Sequence, residues 1–328
     1  MHRMMSVMPL MRAGKRYASL VGRLWRVPGV SYKRLFRHEV WNIGIVDAPI
    51  ETFLTPGARP PVRWLPEPAR GSFLADPFMV ETANGPVILA EGFSYAAGKG
   101  HIAALASTPG GFGPPVAVIR EPVHMSYPYI VRHDGRIYCI PETGTARDVH
   151  LYEATDFPHR WERRATLIEG FAALDATLFP HEGRWWLLCS EMDGTHGATL
   201  HAWHAAEILG PWTPHAANPI KRDVGSARPA GTPFVHAGRL YRPGQDSAAT
   251  YGRAVVIHRV LRLTPTEFAE EAVTTVEPYA DGPYRDGLHT LAVCGSCTII
   301  DGKRYRFIPH EFRRVLRRAL RRILPTRG

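Results

Sequence analysis

Apolar and polar positions recur along this chain in one repeated order. Four segments, about fifty residues apart, begin at a polar or proline-flanked residue, continue as an apolar strand and turn at a glycine. A second apolar strand then ends on Glu or Gln. These segments are Ala75–Glu91, Ser126–Glu142, Asp175–Glu191 and Arg228–Gln245. A repeat of about forty to fifty residues made of short strands is typical of propeller blades, which bury their faces only against one another. The pattern therefore predicts an all-β propeller.

A weaker fifth copy follows near the end of the chain. An apolar run begins at Gly287, and a second strand candidate begins at Cys297, with Asp301-Gly302 expected to form a hairpin turn. Five blades of about fifty residues fill the span from 72 to 308. We expect Trp41–Val46 to supply an outer strand that closes the ring. The sequence thus predicts a five-bladed β-propeller over residues 41–308.

The two ends of the chain differ from the repeats in charge. Residues 1–40 are predicted to be a basic, partly helical extension, and residues 309–328 a basic amphipathic helix with apolar side chains at i, i+3 and i+4 spacing. Two interpretations of this helix stay open. Its apolar face packs on the propeller, or residues 310–324 lie on an anionic membrane surface. Nucleic acid is not an expected partner, because no recognised binding motif accompanies the charge.

Composition narrows the class of protein further. The formal net charge of +10 is concentrated in the two ends, and the hydrophobic share of 45% supports a large core. Four cysteines do not make a disulfide framework in a chain of this length, and a single CxxC does not supply a zinc site, so we predict no metal and no cofactor. No apolar run is long enough to span a membrane, and the N-terminal one is too short for a secretion signal. We therefore expect a cytoplasmic protein, peripheral at the inner face of the membrane if its C-terminal helix binds lipid.

The polar ends of the repeated strands are the candidate site. In a propeller the innermost strands line a channel, and their first residues meet at one mouth. The residues expected at the strand starts are Asp76, Tyr127, Asp175, Arg228 and His289, and those at the strand ends are Glu91, Glu142, Glu191, Gln245 and Asp246. Clustered carboxylates suit glycoside chemistry, in which one carboxyl protonates the leaving oxygen and another activates water or attacks carbon. They equally suit structural ion pairing, and both readings stay open.

Several short phrases of the repeats carry a resemblance to a known family. They are Ala75-Asp-Pro-Phe, Met125-Ser-Tyr-Pro-Tyr-Ile, Ile137-Tyr-Cys-Ile-Pro-Glu, Leu240-Tyr-Arg-Pro-Gly-Gln-Asp, Tyr251-Gly and Leu288-His-Thr-Leu. Together they resemble the N-terminal domain of plant glucosamine inositolphosphorylceramide transferase and its bacterial stand-alone relatives. The start of the first repeat is also similar to that of the five-bladed arabinanase, xylosidase and invertase group. The resemblance covers roughly residues 70–305 and implies a five-bladed propeller that acts on glycans or glycolipids. It leaves the reaction open, because in the plant protein a separate C-terminal glycosyltransferase domain is expected to perform the transfer.

The resemblance also implies roles for individual residues. Asp76 matches the base or nucleophile of the propeller glycosidases. Asp175 stands where they place the general acid, usually Glu, and Glu191 is the second candidate acid. Tyr127 stands where many of them have an aspartate that tunes the acid, and this departure favours a non-catalytic protein.

The predicted site therefore has two groups of residues. Asp76, Asp175 and Glu191 are the candidate catalytic residues, and Tyr127, Glu142, Arg228, Arg242, Gln245, Asp246 and His289 are the candidate substrate-binding residues. The cations Arg228, Arg242 and His289 suit a phosphorylated or acidic sugar, or else they pair with the carboxylates. Two functions stay open. One is a carbohydrate-active enzyme of surface polysaccharide or glycolipid metabolism, which hydrolyses or transfers a glycosyl group. The other is a non-catalytic glycan-binding or scaffold propeller that supports a partner glycosyltransferase.

Overall fold

A computed structural model describes residues 37–194 and 197–307 of the chain. These residues contain twenty-two β-strands and two short 3-10 helices, and the strands form five sheets. Val40–Arg304 make up one compact unit. The second unit comprises Met1–Glu39 and Tyr305–Gly328, and its described residues are the strand residues 37–39 and 305–307. The predicted basic extensions thus lie outside the described residues, apart from residues 37–40, which begin the first strand.

The fifth blade is built from both ends of the propeller. Its strands are β1 (Arg37–Val46), β2 (Val62–Trp64), β21 (Leu291–Cys294) and β22 (Cys297–Phe307), with the 3-10 helix Ile50–Leu54 between the first two. The strand order is β2-β1-β22-β21, so the N-terminal strands close the ring by pairing with the C-terminal ones. The expected closure by Trp41–Val46 is confirmed. This segment is the third strand of its blade, however, and β2 lies outside it.

The first three blades follow one another along the chain. The first contains β3 (Ser72–Val80), β4 (Val87–Ser94), β5 (Lys99–Thr108), β6 (Gly111–Phe112) and β7 (Val116–Ile119). The second contains β8 (Ser126–His133), β9 (Arg136–Glu142), β10 (Val149–Asp156) and β11 (Arg160–Ile168), with the 3-10 helix Gly144–Ala146 after β9. The third contains β12 (Ala173–His181), β13 (Arg184–Glu191), β14 (Thr199–Ala205), β15 (Thr213–Pro214) and β16 (Lys221–Arg222). The first two strands of each blade are the predicted repeat.

The fourth blade completes the ring. It contains β17 (Phe234–His236), β18 (Arg239–Asp246), β19 (Ala254–Leu263) and β20 (Phe268–Val276), paired in that order. One buried apolar cluster contains residues of the first, second, third and fifth blades, and another joins the fourth and fifth blades. Each blade therefore buries its faces against its neighbours, as the repeat requires. The prediction of an all-β, five-bladed propeller is confirmed.

One expected turn is wrong. The hairpin of the fifth blade turns between Cys294 and Cys297, which face each other across it, and not at Asp301-Gly302. Gly295 adopts a φ of 54° in that turn, a left-handed conformation that glycine adopts at little cost. Asp301 lies instead inside β22, fully buried. Among the described residues, no helix has the length and apolar content needed to cross a lipid bilayer.

Candidate functional site

Three inner strands carry the same local distortion. Asp76 in β3, Tyr127 in β8 and Asp175 in β12 have φ values of 52°, 44° and 52°. In each blade the pairing with the second strand shifts register at this point. Non-glycine residues in this left-handed region cost about 1–3 kcal/mol each and persist only where the surroundings hold them. The repetition marks the beginnings of the inner strands as a specially built part of the fold.

Carboxylates of neighbouring blades hold these distorted residues. The N–H of Asp76 donates to Oδ2 of Asp301 at 3.1 Å, and the N–H of Tyr127 donates to Oδ2 of Asp76 at 3.3 Å. The N–H of Asp175 donates to Oε2 of Glu142 at 3.2 Å. Each bond joins one blade to the next. The carboxylates of the predicted site thus bind backbone N–H groups that the bulged ladder leaves unpaired.

A cavity of about 350 Å³ lies beside these residues. Its charged and aromatic lining consists of Asp76, Glu91, His124, Glu142, Glu191, Arg228 and Tyr251. Of the predicted site residues, the structure brings Asp76, Glu142, Glu191 and Arg228 to the cavity wall. Asp175, Gln245 and His289 are buried and do not line the cavity, but each contacts a wall residue. Asp175 and the backbone N–H of Gln245 bond to Arg228, and His289 lies beside Asp76.

Arg228 links two of these carboxyls. Its Nε donates to Oδ2 of Asp175 at 2.6 Å, and its Nη2 donates to Oδ1 of the same residue at 3.1 Å and to Oε2 of Glu142 at 3.2 Å. The side-chain amide of Gln245 donates to Oδ2 of Asp175 at 2.6 Å. Both oxygens of Asp175 therefore accept hydrogen bonds from permanent donors. The role of Asp175 as a general acid stays a prediction, and this geometry argues against it.

Asp76 lies in a different environment. Its Oδ1 accepts a hydrogen bond from the hydroxyl of Thr290 at 3.0 Å and lies 3.6 Å from Nδ1 of His289. Burial raises the pKa of Asp76 from 3.8 to about 6, with further increases from Asp175 and Asp301 and an opposing effect of His289. Near neutral pH this carboxyl is thus largely ionised but still able to exchange a proton.

Asp301 fixes the histidine beside Asp76. Its Oδ2 lies 2.6 Å from Nδ1 of His289, and its Oδ1 accepts hydrogen bonds from the N–H groups of His289 and Thr290 at 2.9 and 3.0 Å. The His289 ring stacks on Trp41 with 3.9 Å between centroids. Although burial opposes both shifts, the pairing raises the pKa of His289 and lowers the pKa of Asp301. The result is a buried ion pair directly behind the cavity.

Asp76, His289 and Asp301 are also the one group of three potential metal ligands found among residues 37–194 and 197–307. Their ligand atoms lie within 4.8 Å of one another. The hydrogen bond between His289 and Asp301, together with those to Asp76, accounts for this grouping. No metal ion is required to explain it.

Two further carboxyls of the cavity have raised pKa values. Burial, followed by the charge of Asp76, raises the pKa of Glu91 well above its usual value. Burial also raises the pKa of Glu142 well above its usual value, in spite of Arg228. Glu191 is more open, with 36% of its side chain exposed and Nε2 of His201 at 3.6 Å from Oε2. The cavity therefore contains two buried carboxyls with raised pKa values and one carboxyl that is more exposed to solvent.

Besides the buried Gln245 and His289, three further predicted binding residues do not line the cavity. The Tyr127 ring is fully buried, and its hydroxyl bonds Thr177 at 2.9 Å and the N–H of Gly231 at 2.8 Å, so it joins blades across the core. The guanidinium of Arg242 donates from Nε and Nη2 to the Glu270 carboxylate at 2.8 and 2.6 Å. Asp246 accepts a hydrogen bond from Nε of Arg253 at 2.9 Å. The placement of these three side chains at the mouth is corrected.

Three residues of this region are not marked by the repeated pattern. Asp-Gly is a strong turn signal, which hides the role of Asp301 in a strand, and His124 precedes its strand with no repeat to mark it. Tyr251 stands in the phrase Tyr251-Gly252, which carried the resemblance but was given no role. Its ring lies 5.6 Å from the guanidinium carbon of Arg228. The repeat locates residues of strands, whereas His124 and Tyr251 lie in connections between strands.

The chain is thus a five-bladed β-propeller with a carboxyl-rich cavity beside the distorted beginnings of its inner strands. An exo-β-1,3-galactanase from Clostridium thermocellum has a similar fold, with a TM-score of 0.50 and 14% sequence identity, over 68% of this chain and 57% of that one. The chain belongs to the family described as glucosamine inositolphosphorylceramide transferase 1, N-terminal, whose model matches residues 66–281. The resemblance found in the sequence is confirmed, and the chain is a carbohydrate-related propeller protein.

Two plant relatives define this membership further. Glucosamine inositolphosphorylceramide transferase 1 from Oryza sativa subsp. japonica is 34% identical over 213 residues, which cover 62% of this chain and 28% of the rice protein. The Arabidopsis thaliana protein of the same name is 32% identical over 210 residues, covering 62% of this chain and 27% of that protein. The chain therefore matches little more than a quarter of the length of these relatives.

Proposed function

We propose that the cavity binds a carbohydrate, the sugar part of a glycan or a glycolipid. Its carboxyls and the Arg228 guanidinium offer both acceptors and donors for sugar hydroxyls. Tyr251, 36% exposed, offers a ring face at the same wall. The volume of about 350 Å³ is within the usual range for small-ligand sites. The plant relatives are named glucosamine inositolphosphorylceramide transferase 1, and this name, which contains both a sugar and a lipid, supports the same class of ligand.

The interlocked group of Arg228, Asp175 and Glu142 is the observation that carries this proposal. Its bonds fix the floor of the cavity before any ligand arrives, and a preformed polar floor favours recognition. They also engage both carboxyl oxygens of Asp175, one with Arg228 alone and one with Arg228 and Gln245. Binding is therefore the function that the geometry supports best, in keeping with a propeller that supports a separate glycosyltransferase.

Glycosyl hydrolysis or transfer is the second candidate, and one observation favours it. Asp76, with a pKa of about 6, is suited to act as a base, while burial raises the pKa values of Glu91 and Glu142, which favours their protonated forms. Carboxyls whose environments separate their protonation states form the acid and base of glycosidases. In this version Asp76 keeps its predicted role, and the acid is Glu142 or Glu91.

A glycan and glycolipid screen separates the two candidates. Wild-type protein and Asp76→Asn are measured for binding and for product release, with Glu162→Gln, an exposed carboxyl of β11, as the control for lost charge. We expect wild-type protein and the control to bind the same glycans. Product from wild type and not from Asp76→Asn establishes the enzyme, while binding without product leaves the recognition protein. Absence of binding to every glycan overturns the proposal.

A cellular setting for this binding is also proposed from the sequence. We propose that the protein works at the cytoplasmic face of a membrane, beside a glycosyltransferase, and that residues 310–324 contact anionic lipid. Seven arginines between positions 310 and 328 support this, and those residues lie outside the described part of the chain.

A further inference from the structure

Two of the four cysteines lie opposite each other at the tip of the fifth blade. Cys294 ends β21 and Cys297 begins β22, and the two residues pair directly across the turn between them. Side chains of directly opposed residues in an antiparallel pair lie on the same face of the sheet. Both thiols are free. The fold therefore holds two reduced cysteines side by side.

The spacing of such a pair suits a disulfide bond. Opposed residues that close a two-residue hairpin form a hydrogen-bonded pair with about 5.5 Å between Cα atoms, and the Cα atoms of disulfide-bonded cysteines usually lie about 4.4–6.8 Å apart. The Cβ atoms of opposed residues lie about 4.5–5.5 Å apart, whereas a disulfide brings them to about 3.5–4.5 Å. A bond between Cys294 and Cys297 thus needs a small closure of the hairpin. The strain of this closure makes the bond easy to reduce.

A metal ion is a less suitable partner for this pair. Structural zinc sites normally take four ligands from Cys, His, Asp or Glu. In the part of the chain that the structure describes, the one group of three potential metal ligands consists of Asp76, His289 and Asp301 and contains neither cysteine. The two thiols therefore lack the further ligands of a zinc site.

The two thiols differ in access. Cys294 is 4% exposed, and its Sγ donates a hydrogen bond to Oε1 of Glu81, an exposed residue of the first blade, at 3.6 Å. Burial, followed by the charge of Glu81, raises the pKa of Cys294 to about 12. Cys297 is only partly buried, with its Sγ at 4.0 Å from Oδ1 of the exposed Asp47. A reagent from solution therefore meets Cys297 first.

We infer that Cys294 and Cys297 are a modification site, at which a small-molecule disulfide such as glutathione disulfide converts the two thiols to a reversible protein disulfide. The thiolate of Cys297 attacks one glutathione sulfur, and the other glutathione leaves and takes up a proton. The sulfur of Cys294 then attacks the sulfur of Cys297, gives its proton to the carboxylate of Glu81 and releases the first glutathione, which leaves as a thiol. Two protein thiols and one glutathione disulfide thus become one protein disulfide and two glutathione thiols.

The raised pKa of Cys294 agrees with its second place in this order. A thiol held in its protonated form is a poor nucleophile toward a dissolved reagent. In the second step, however, its target is the sulfur directly across the hairpin, and this positioning replaces the encounter of two molecules. Glu81 already accepts the hydrogen bond of the thiol and is placed to accept its proton. In a reducing compartment such a disulfide is transient.

Thiol labelling of the full-length protein tests this inference. Folded protein is incubated with mixtures of reduced and oxidised glutathione, and the remaining thiols are blocked with N-ethylmaleimide in denaturant. Trypsin cleaves after Arg285 and Lys303, so one peptide carries both cysteines. We expect oxidised glutathione to remove two of the four thiols and to leave this peptide lighter by two hydrogen atoms and without maleimide. An excess of reduced glutathione should restore both thiols.

Single substitutions test the order of the steps. Cys294→Ser should stop at the mixed disulfide, with one glutathione on Cys297, whereas Cys297→Ser should leave Cys294 unmodified. Cys189→Ala removes a buried cysteine of β13 and should leave the reaction unchanged. Glu81→Gln keeps a hydrogen-bond acceptor but loses the base, and we expect the second step to become at least about tenfold slower. Asp47→Asn, beside the other thiol, should not slow this step.

The outcomes decide the inference independently of the proposed function, because the reaction needs no ligand in the carboxyl-lined cavity. The inference is overturned if the peptide keeps both thiols in pure glutathione disulfide, or if each cysteine carries its own glutathione and no internal disulfide forms. An unchanged second step in Glu81→Gln overturns the role given to Glu81. The measurement on the wild-type protein needs no variant, so a variant that fails to fold does not hide the result.

Discussion

The backbone N–H of Tyr127 donates a hydrogen bond to Oδ2 of Asp76 at 3.3 Å. This bond connects the second blade to the first. Asp76 is at the same time part of the cavity wall. One carboxyl therefore serves both the ring and the site. Effects of its substitution on function must be measured in protein whose folding has been checked.

Replacing Arg228 tests how much the ring depends on the cavity floor. Arg228→Met leaves the buried carboxyls of Asp175 and Glu142 without their cation, and we expect a loss of about 3–5 kcal/mol in the free energy of unfolding. Urea unfolding followed by tryptophan fluorescence measures it. Arg262→Met, which breaks an exposed pair with Glu267, is the control and should change little. Equal losses in the two variants would contradict a structural role for the floor.

Arg242 should separate stability from binding. Arg242→Met leaves the buried Glu270, whose pKa is lowered to about 2 in the folded protein chiefly by this arginine, against the effect of burial. We expect a clear drop in melting temperature and, in the protein that stays folded, unchanged affinity for the glycan found in the screen. A drop in affinity with unchanged stability would show that Arg242 reaches the ligand after all.

Stability should fall as the pH rises through the acidic range. The pKa of Asp76 is about 6 in the folded protein and 3.8 as its unperturbed value, so between these pH values the folded state binds more protons than the unfolded one. Its contribution to the free energy of unfolding therefore decreases from about pH 4 to pH 6, by up to about 3 kcal/mol for this group. Unfolding by urea at several pH values should show a smaller decrease in Asp76→Asn. An equally steep decrease in that variant would argue against a raised pKa.

Asp301 should control the protonation of His289. In Asp301→Asn the imidazolium loses the carboxylate 2.6 Å from its Nδ1, and we expect the pKa of His289 to fall. Nuclear magnetic resonance titration of the histidine ring measures this shift. Asp47→Asn removes an exposed carboxylate paired with Arg63 and should leave His289 unchanged. If the two variants titrate alike, Asp301 does not hold the histidine charged.

The arginines of the C-terminal segment should govern lipid binding. We expect the full chain to sediment with vesicles that contain anionic phosphatidylserine and to remain in solution with neutral phosphatidylcholine. A variant with Gln in place of the seven arginines between 310 and 328 should lose the binding. Binding that persists in this variant would remove the membrane from the proposed cellular setting.

Repetition explains how far the sequence could predict the structure. Because each blade repeats one strand pair, the positions of Asp76, Asp175 and Glu142 followed from their equivalence alone. The repeat did not show, however, to which face of its strand each side chain points. Side chains alternate along a strand, and Gln245 reaches Asp175 from β18 while Arg242, three positions away, points to the other face and meets Glu270. Because side chains alternate between the two faces of a strand, placing Gln245 at the mouth would have shown that Arg242 points away from it.

The turn preference of a short sequence gave a wrong prediction where contacts with residues far away in the chain outweighed it. Asp301-Gly302 has the composition of a hairpin turn, yet Asp301 accepts hydrogen bonds from Asp76, His289 and Thr290 in the core. One of these partners is 225 residues away in the chain. Contacts of such long range leave no periodic trace in a single sequence.

The pairing of β1 with β22 has a consequence for the order of events during synthesis. A chain growing on the ribosome exposes Asp76 early, but Asp301 leaves the exit tunnel only after nearly all the blades have been made. Until then Asp76 has no acceptor for its N–H and no charged histidine behind it. Partly synthesised chains therefore lack the hydrogen bond and the ion pair next to Asp76 until the last blade pairs with the first strand.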